Sequence, residues 1–184
     1  LNTFNTASDD VKLNRALGAV YEPGSTMKAV VFSAVLNERL VSPDTVIDCE
    51  NGTWYYGRRP LRDYKAYDAL SVADGLKKSS NILSAKLALM LDNAMLHRYY
   101  QAFGCGSALG VDLPGEEIGI LHPPRKWSTI TPTRIAIGQG LAVTSLQMLS
   151  VFCTIANDGV LMRPYVINHV RGPDGKLLYR RQPE

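Results

Sequence analysis

The chain has 184 residues; Lys and Arg number 20 and Asp and Glu 17, which leaves a formal net charge of +3. With 46% hydrophobic and 20% charged residues, its composition excludes intrinsic disorder, and its length suits one ordinary domain with a sizeable core. So small a charge leaves no footprint for nucleic acid. No apolar run is long enough for a transmembrane helix, so neither nucleic acid nor a membrane segment is expected. No signal peptide is visible, and the chain opens on Leu1 rather than Met, which reads as an excised or mature piece.

Three cysteines, Cys49, Cys105 and Cys153, have no short spacing between them. An odd count argues against a disulfide framework and a zinc site, so small buried or half-buried thiols are expected. His97, His122 and His169 lie far apart and form no metal-binding pattern, so neither a metal nor a cofactor is expected.

Residues 1–20 are polar and irregular, and Tyr21-Glu22-Pro23-Gly24 punctuates the chain after them. The spacing of Met27, Val30, Val31, Ala34 and Val35 predicts a helix over 25–39. Val46-Ile47 and Trp54-Tyr55-Tyr56 flank Glu50-Asn51-Gly52 and predict a hairpin, after which Arg58-Arg59-Pro60 leads into a loop. Ser71 and Asp74 have the spacing of a capping box and open a short helix that reaches Lys78. Helices are predicted over 82–91 and over 95–103, the latter ended by Gly104. A loop-rich stretch follows over 104–127. Thr131-Pro132 opens a helical turn that runs into Gly138-Gln139-Gly140. Thr144 and Gln147 form another capping box and start a helix over 145–156, with Leu146, Leu149, Phe152 and Cys153 expected on its inner face. Strands over 165–171 and 177–180 flank a Gly172-Pro173-Asp174-Gly175 turn.

Three short elements carry candidate chemistry. Ser25-Thr26-Met27-Lys28 places a hydroxyl and an amine three residues apart, on one face of a helix start. A serine hydroxyl becomes a good nucleophile when a base takes its proton, and a lysine is such a base only when neutral. Alone, the tetrapeptide is a weak signal and reads more readily as a helix cap beside a surface lysine. Ser79-Ser80-Asn81 falls between two helices. It can offer a hydroxyl and a carboxamide to a cleft, or simply cap the next helix. Gly138-Gln139-Gly140 allows close backbone approach, or is only a turn.

Taken in order, the three elements include two of the three motifs shared by penicillin-binding proteins and class A β-lactamases. The phrases Tyr21-Glu22-Pro23-Gly24-Ser25-Thr26-Met27-Lys28, Val72-Ala73-Asp74 with Lys78-Ser79-Ser80-Asn81, and Ala136-Ile137-Gly138-Gln139-Gly140 with Thr144 to Gln147 narrow this further. They resemble the transpeptidase domain of class B penicillin-binding proteins, and the likeness runs from about Arg15 to the tail.

The resemblance implies an α+β fold of β-lactamase/transpeptidase type, with a central antiparallel sheet between helices. The whole chain, 1–184, is read as a mainly helical fragment of that domain that lacks most of the sheet. It implies that Ser25 is the acylated nucleophile, Lys28 its proton acceptor, Ser79 a proton relay and Asn81 a ligand of the substrate backbone. Gly138, Gln139 and Gly140 are read as substrate-binding. The implied reaction joins peptidoglycan stem peptides ending in D-Ala-D-Ala, and β-lactams acylate Ser25 in their place. The implied location is the periplasmic or extracytoplasmic face of the cell membrane, on an N-terminal anchor, with a membrane glycosyltransferase as a possible partner.

The family's Lys-Thr-Gly strand, one source of its oxyanion hole, is absent from the sequence. Loss of one such donor costs about 10²–10³ in rate, so little activity is expected of this chain alone. A serine β-lactamase or DD-carboxypeptidase on the same fold is the alternative, as is a non-enzymatic penicillin-sensing domain. Glu116 and Glu117 lie in a Gly-rich loop, outside any motif for deacylation.

Overall fold

The structure is a computed structural model that describes Thr3 and residues 5–184. Its helices are α1 (Asp9–Lys12), α2 (Arg15–Gly18), α3 (Lys28–Asn37), α4 (Val72–Lys77), α5 (Asn81–Ala88), α6 (Asn93–Ala102), α7 (Thr131–Ile135) and α8 (Ser145–Ala156). The strands are β1 (Val20–Tyr21), β2 (Val46–Asp48), β3 (Thr53–Tyr56), β4 (Arg59–Arg62), β5 (Ala69–Ser71), β6 (Val143–Thr144), β7 (His169–Arg171) and β8 (Leu177–Arg180). They pair as antiparallel ribbons β1–β6, β2–β5, β3–β4 and β7–β8. This is a mixed α and β architecture dominated by helices.

The core is built around α3. Met27, Val30, Val31, Ala34 and Val35 are all buried, as their helical spacing predicts. Leu83 and Leu87 of α5 and Leu96 and Tyr100 of α6 belong to the same cluster. The Tyr100 hydroxyl is wholly buried and donates to the carbonyl of Ile135 at 2.8 Å, which ties α6 to the end of α7. Unpaired, that hydroxyl would carry a desolvation cost of about 1–3 kcal/mol.

Several predicted boundaries hold because local side chains set them. Ser71 accepts from the Asp74 amide and starts α4. The Thr144–Gln147 capping box is complete in both directions. At the end of α6, Gly104 has φ 86°. The amides of Gly104 and Cys105 return to the carbonyls of Gln101 and Tyr100, the paired closure that a left-handed residue permits.

Other expectations are corrected. Residues 1–20 are not simply irregular: α1, α2 and the first residue of β1 fall there, with Asn14 capping α2, while residues 1, 2 and 4 lie outside the described ones. The hairpin expected across Glu50-Asn51-Gly52 does not form. Its two halves pair elsewhere, β2 with β5 and β3 with β4. Glu50 and Asn51 have φ of 53° and 49°, and with Gly52 they make a 3₁₀ corner that passes the chain from one ribbon to the next. The loop expected after Pro60 starts later, because Arg59–Arg62 is strand β4, with Pro60 opposite Tyr55. A two-stranded ribbon has edges where the missing proline N–H is not needed. Of the strand expected over 165–171, only His169–Arg171 forms; the amides of Val166 and Ile167 instead donate to the Asp112 carboxylate.

The rotation of α8 also differs. Leu149, Phe152 and Cys153 face outward, while Gln147, Met148, Ser150, Val151 and Thr154 are buried. The cause is polar. The Gln147 side-chain amide donates to the carbonyls of Gly104, Ser107 and Ile118, and so turns this side of the helix inward. Cys49 and Cys105 are buried and Cys153 is exposed; all three are free thiols.

Candidate active site

The site forms where the start of α3 meets the turn between α4 and α5. Gly24–Met27 is a 3₁₀ turn that runs directly into α3, and the Lys28 amide donates to the Ser25 carbonyl. Ser25 is exposed at the mouth of this turn, and Lys28 lies one turn further in. The Thr26 hydroxyl donates to the Pro23 carbonyl at 2.8 Å and lies 3.3 Å from the Met148 sulfur, which fixes the turn against α8.

Lys28 is only 1% exposed. Its Nζ donates to the Ser79 carbonyl at 2.5 Å, to Ser79 Oγ at 2.9 Å and to Asn81 Oδ1 at 2.8 Å. Three acceptors match the three protons of an ammonium group. Burial lowers the Lys28 pKa from 10.5 to about 8, and the negative charge of Asp63 opposes part of that fall. A buried lysine lowered this far can release its proton near neutrality.

Ser79 holds a left-handed backbone, with φ 56°. For a residue with a side chain this conformation costs about 1–2 kcal/mol and persists where surrounding bonds hold it. Ser80 is the N-cap of α5: its hydroxyl accepts from the Leu83 amide at 3.0 Å. The capping reading of Ser79-Ser80-Asn81 therefore holds, and the hydroxyl and carboxamide on either side of the cap are turned to Lys28. The Asn81 carboxamide also donates to the Arg62 carbonyl at 2.8 Å. One amide hydrogen and one lone pair of that carboxamide remain for another partner.

The Gly138-Gln139-Gly140 segment lies behind the serine turn. The Gly24 amide donates to the Gly138 carbonyl at 3.1 Å. A Cβ on Gly138 would fall 2.0 Å from the Gly24 carbonyl oxygen. The Gly140 amide donates to a Glu22 carboxylate oxygen at 2.8 Å. Two members of this trio thus lock the segment that carries Ser25, and Gln139 is exposed between them.

Of the predicted residues, Lys28, Ser79 and Asn81 are joined directly, and Ser25 sits one helical turn from Lys28. The sequence patterns left out Asp63 and Arg62, and they gave Glu22 no role of its own. Asp63 precedes Asn81 by 18 residues in an unremarked loop, so no local spacing signals it. Glu116 accepts from the amides of Leu109 and Gly110 and so clamps its own loop. Among the described residues, no group of three or more His, Cys, Asp or Glu is placed to hold a metal ion. No described helix is long and apolar enough to cross a membrane.

A buried lysine of lowered pKa, one turn after an exposed serine and bonded to a Ser-x-Asn turn, is an arrangement of the serine–lysine type. The family model of the penicillin-binding protein transpeptidase domain matches residues 2–184, and the chain belongs to that family. It is 32% identical to penicillin-binding protein PbpB of Mycolicibacterium smegmatis, over 100% of this chain and 29% of that protein. It is also 32% identical to peptidoglycan D,D-transpeptidase FtsI of Escherichia coli, over 94% of this chain and 29% of that protein. The crystal structure of penicillin-binding protein 3 from Mycobacterium tuberculosis complexed with aztreonam superposes with a TM-score of 0.86 at 34% identity, covering 93% of this chain and 38% of that one. The chain thus spans under a third of the length of these two curated relatives.

Proposed function

We propose that this chain is the serine-bearing part of a D,D-transpeptidase that crosslinks peptidoglycan. The observation that carries the reading is Lys28: buried, bonded to Ser79 and Asn81, and with its proton affinity lowered to a pKa of about 8. Neutral Lys28 takes the proton of Ser25 as Ser25 Oγ attacks the carbonyl of the penultimate D-Ala. The C–N bond to the last D-Ala breaks. Ser79 passes a proton to the departing amine, and Asn81 holds the peptide backbone. An amine of a neighbouring stem peptide then attacks the ester, a new peptide bond forms and Ser25 is released. A β-lactam enters the first step by ring opening and stays on Ser25.

Gly138 and Gly140 support this site by holding the Ser25 turn, and Gln139 is the member of the trio left to meet substrate. The names of similar proteins support peptidoglycan as substrate and β-lactams as ligands. A place of work at the periplasmic or extracytoplasmic face of the membrane follows from that substrate, and a membrane glycosyltransferase that makes the glycan is the fitting partner. The chain by itself, without a Lys-Thr-Gly strand, is expected to have little activity.

The test is the pH dependence of acylation by benzylpenicillin, measured on the chain extended through the family's Lys-Thr-Gly strand. A base that must be neutral gives a rate that rises about tenfold per pH unit below its pKa. The rate is expected to climb from pH 6 and level off above about 8, the value that burial gives Lys28. A flat profile contradicts the role of Lys28. Rapid multiple turnover of the lactam favours the hydrolase alternative.

A further inference from the structure

Asp63 follows β4 and belongs to none of the three motifs. Its carboxylate accepts three hydrogen bonds from the start of α5. Ser80 Oγ donates to Oδ2 at 2.7 Å, and the amides of Asn81 and Ile82 donate to Oδ1 at 2.5 and 3.0 Å. Those amides have no partner within the helix, and a negative charge there also suits the helix dipole. The Arg62 carbonyl, next along the chain, accepts from the Asn81 side chain. Residues 62 and 63 therefore hold Asn81 by both its backbone and its carboxamide. The Asp63 amide donates to the Gly52 carbonyl at 3.1 Å, which anchors the loop itself.

We propose that Asp63 is a positioning residue of this site: its carboxylate holds the turn that presents Ser79 and Asn81 to Lys28, and it is the counter-charge of the Lys28 ammonium across that turn. Its catalytic consequence rests on the reading of Lys28 as proton acceptor. The neighbouring groups fit this assignment. Ser79 and Asn81 face Lys28 as neutral acceptors. Cys49, behind Ser80, has its thiol pKa pushed up by burial, so it stays neutral. Lys78 is turned to Asp74 and the Tyr67 ring, and Lys86 to Glu50 and the Trp54 ring.

The sign of the effect follows. The charge of Asp63 raises the proton affinity of Lys28 against the larger effect of burial. Asp63→Asn keeps an oxygen for the two amides and removes the charge, so Lys28 should lose its proton at lower pH. Asp63→Glu keeps the charge and displaces the carboxylate from the amides.

The experiment is an NMR titration of Lys28 in the chain labelled with ε-¹³C lysine, with hydrogen exchange at the Asn81 and Ile82 amides. For Asp63→Asn, the Lys28 midpoint is expected to fall by about half a pH unit or more while the amides stay protected. For Asp63→Glu, the midpoint should stay near wild type while that protection is lost. An unmoved midpoint in a folded Asp63→Asn overturns the proposal. If Asp63→Asn does not fold, Asp63→Glu decides alone: retained amide protection overturns it. Benzylpenicillin acylation of the extended protein supplies the catalytic readout. The acid limb of its pH profile should move down with Asp63→Asn, whereas a purely structural role would lower the rate and leave the limb in place. If wild type forms no adduct, the transpeptidase reading fails, while the Lys28 titration still decides the role of Asp63.

Discussion

Gly138→Ala is expected to destabilise the chain by roughly 2–4 kcal/mol and to slow acylation of Ser25 by at least tenfold. Gly138 has φ 74°, which alone costs an alanine about 1–2 kcal/mol. The larger effect is contact. The new Cβ would lie 2.0 Å from the Gly24 oxygen and 2.5 Å from the Gly24 nitrogen. Both are backbone atoms of the residue before Ser25, so relief comes only by moving the nucleophile's own turn. The Gly24–Gly138 hydrogen bond would go with it. Gly140→Ala is the control. Its φ is a similar 77°, but the nearest atom to its Cβ, Ile135 Cγ2, is 4.0 Å away. That variant should lose only the dihedral contribution, about 1–2 kcal/mol. Thermal unfolding and single-turnover acylation check both. Equal effects of the two variants would mean that the contact with Gly24 does not govern the serine turn.

Lys28→Met is expected to lower acylation by about 10²–10⁴, the usual contribution of a positioned base. The fold should survive, because two opposing changes accompany the loss. A desolvated ammonium disappears, and the Ser79 and Asn81 acceptors lose their donor. Lys28→Arg separates the base from its charge. Arg keeps a positive group and donors but does not release a proton in this pH range, so it should be about as inactive as Met. An active Lys28→Arg would assign Lys28 to charge stabilisation instead. Stability carries a second signature. The folded-state pKa of about 8 lies below the ordinary 10.5, so the unfolded chain binds more protons between those values. Stability from this group therefore rises with pH through that window, and Lys28→Met should lack the slope.

The sequence disclosed the helices around the site well, because local chemistry sets their ends. Ser71, Ser80 and Thr144 are caps that bond to amides three residues on, and such spacing is visible in one dimension. The groups of the candidate site were legible for the same reason. Ser25 with Lys28, and Ser79 with Asn81, are short words whose members share a turn. What was illegible depends on distant partners. Asn51-Gly52 looks like a hairpin turn but makes a corner, because β2 and β3 pair with β5 and β4. The rotation of α8 follows the three carbonyls that Gln147 reaches, not the count of its apolar residues. Asp63 and Glu22 act on backbone amides remote in sequence, at Asn81 and Gly140, and no periodicity announces such a bond.

The central claim is that Ser25 is the acylated residue, served by Lys28. Its most direct test is intact mass after incubation with benzylpenicillin, for this chain and for a version extended through the Lys-Thr-Gly strand. The account predicts one covalent adduct on the extended protein, lost in Ser25→Ala, and little or none on the short chain. An adduct that persists in Ser25→Ala, or none on the extended protein, would contradict it.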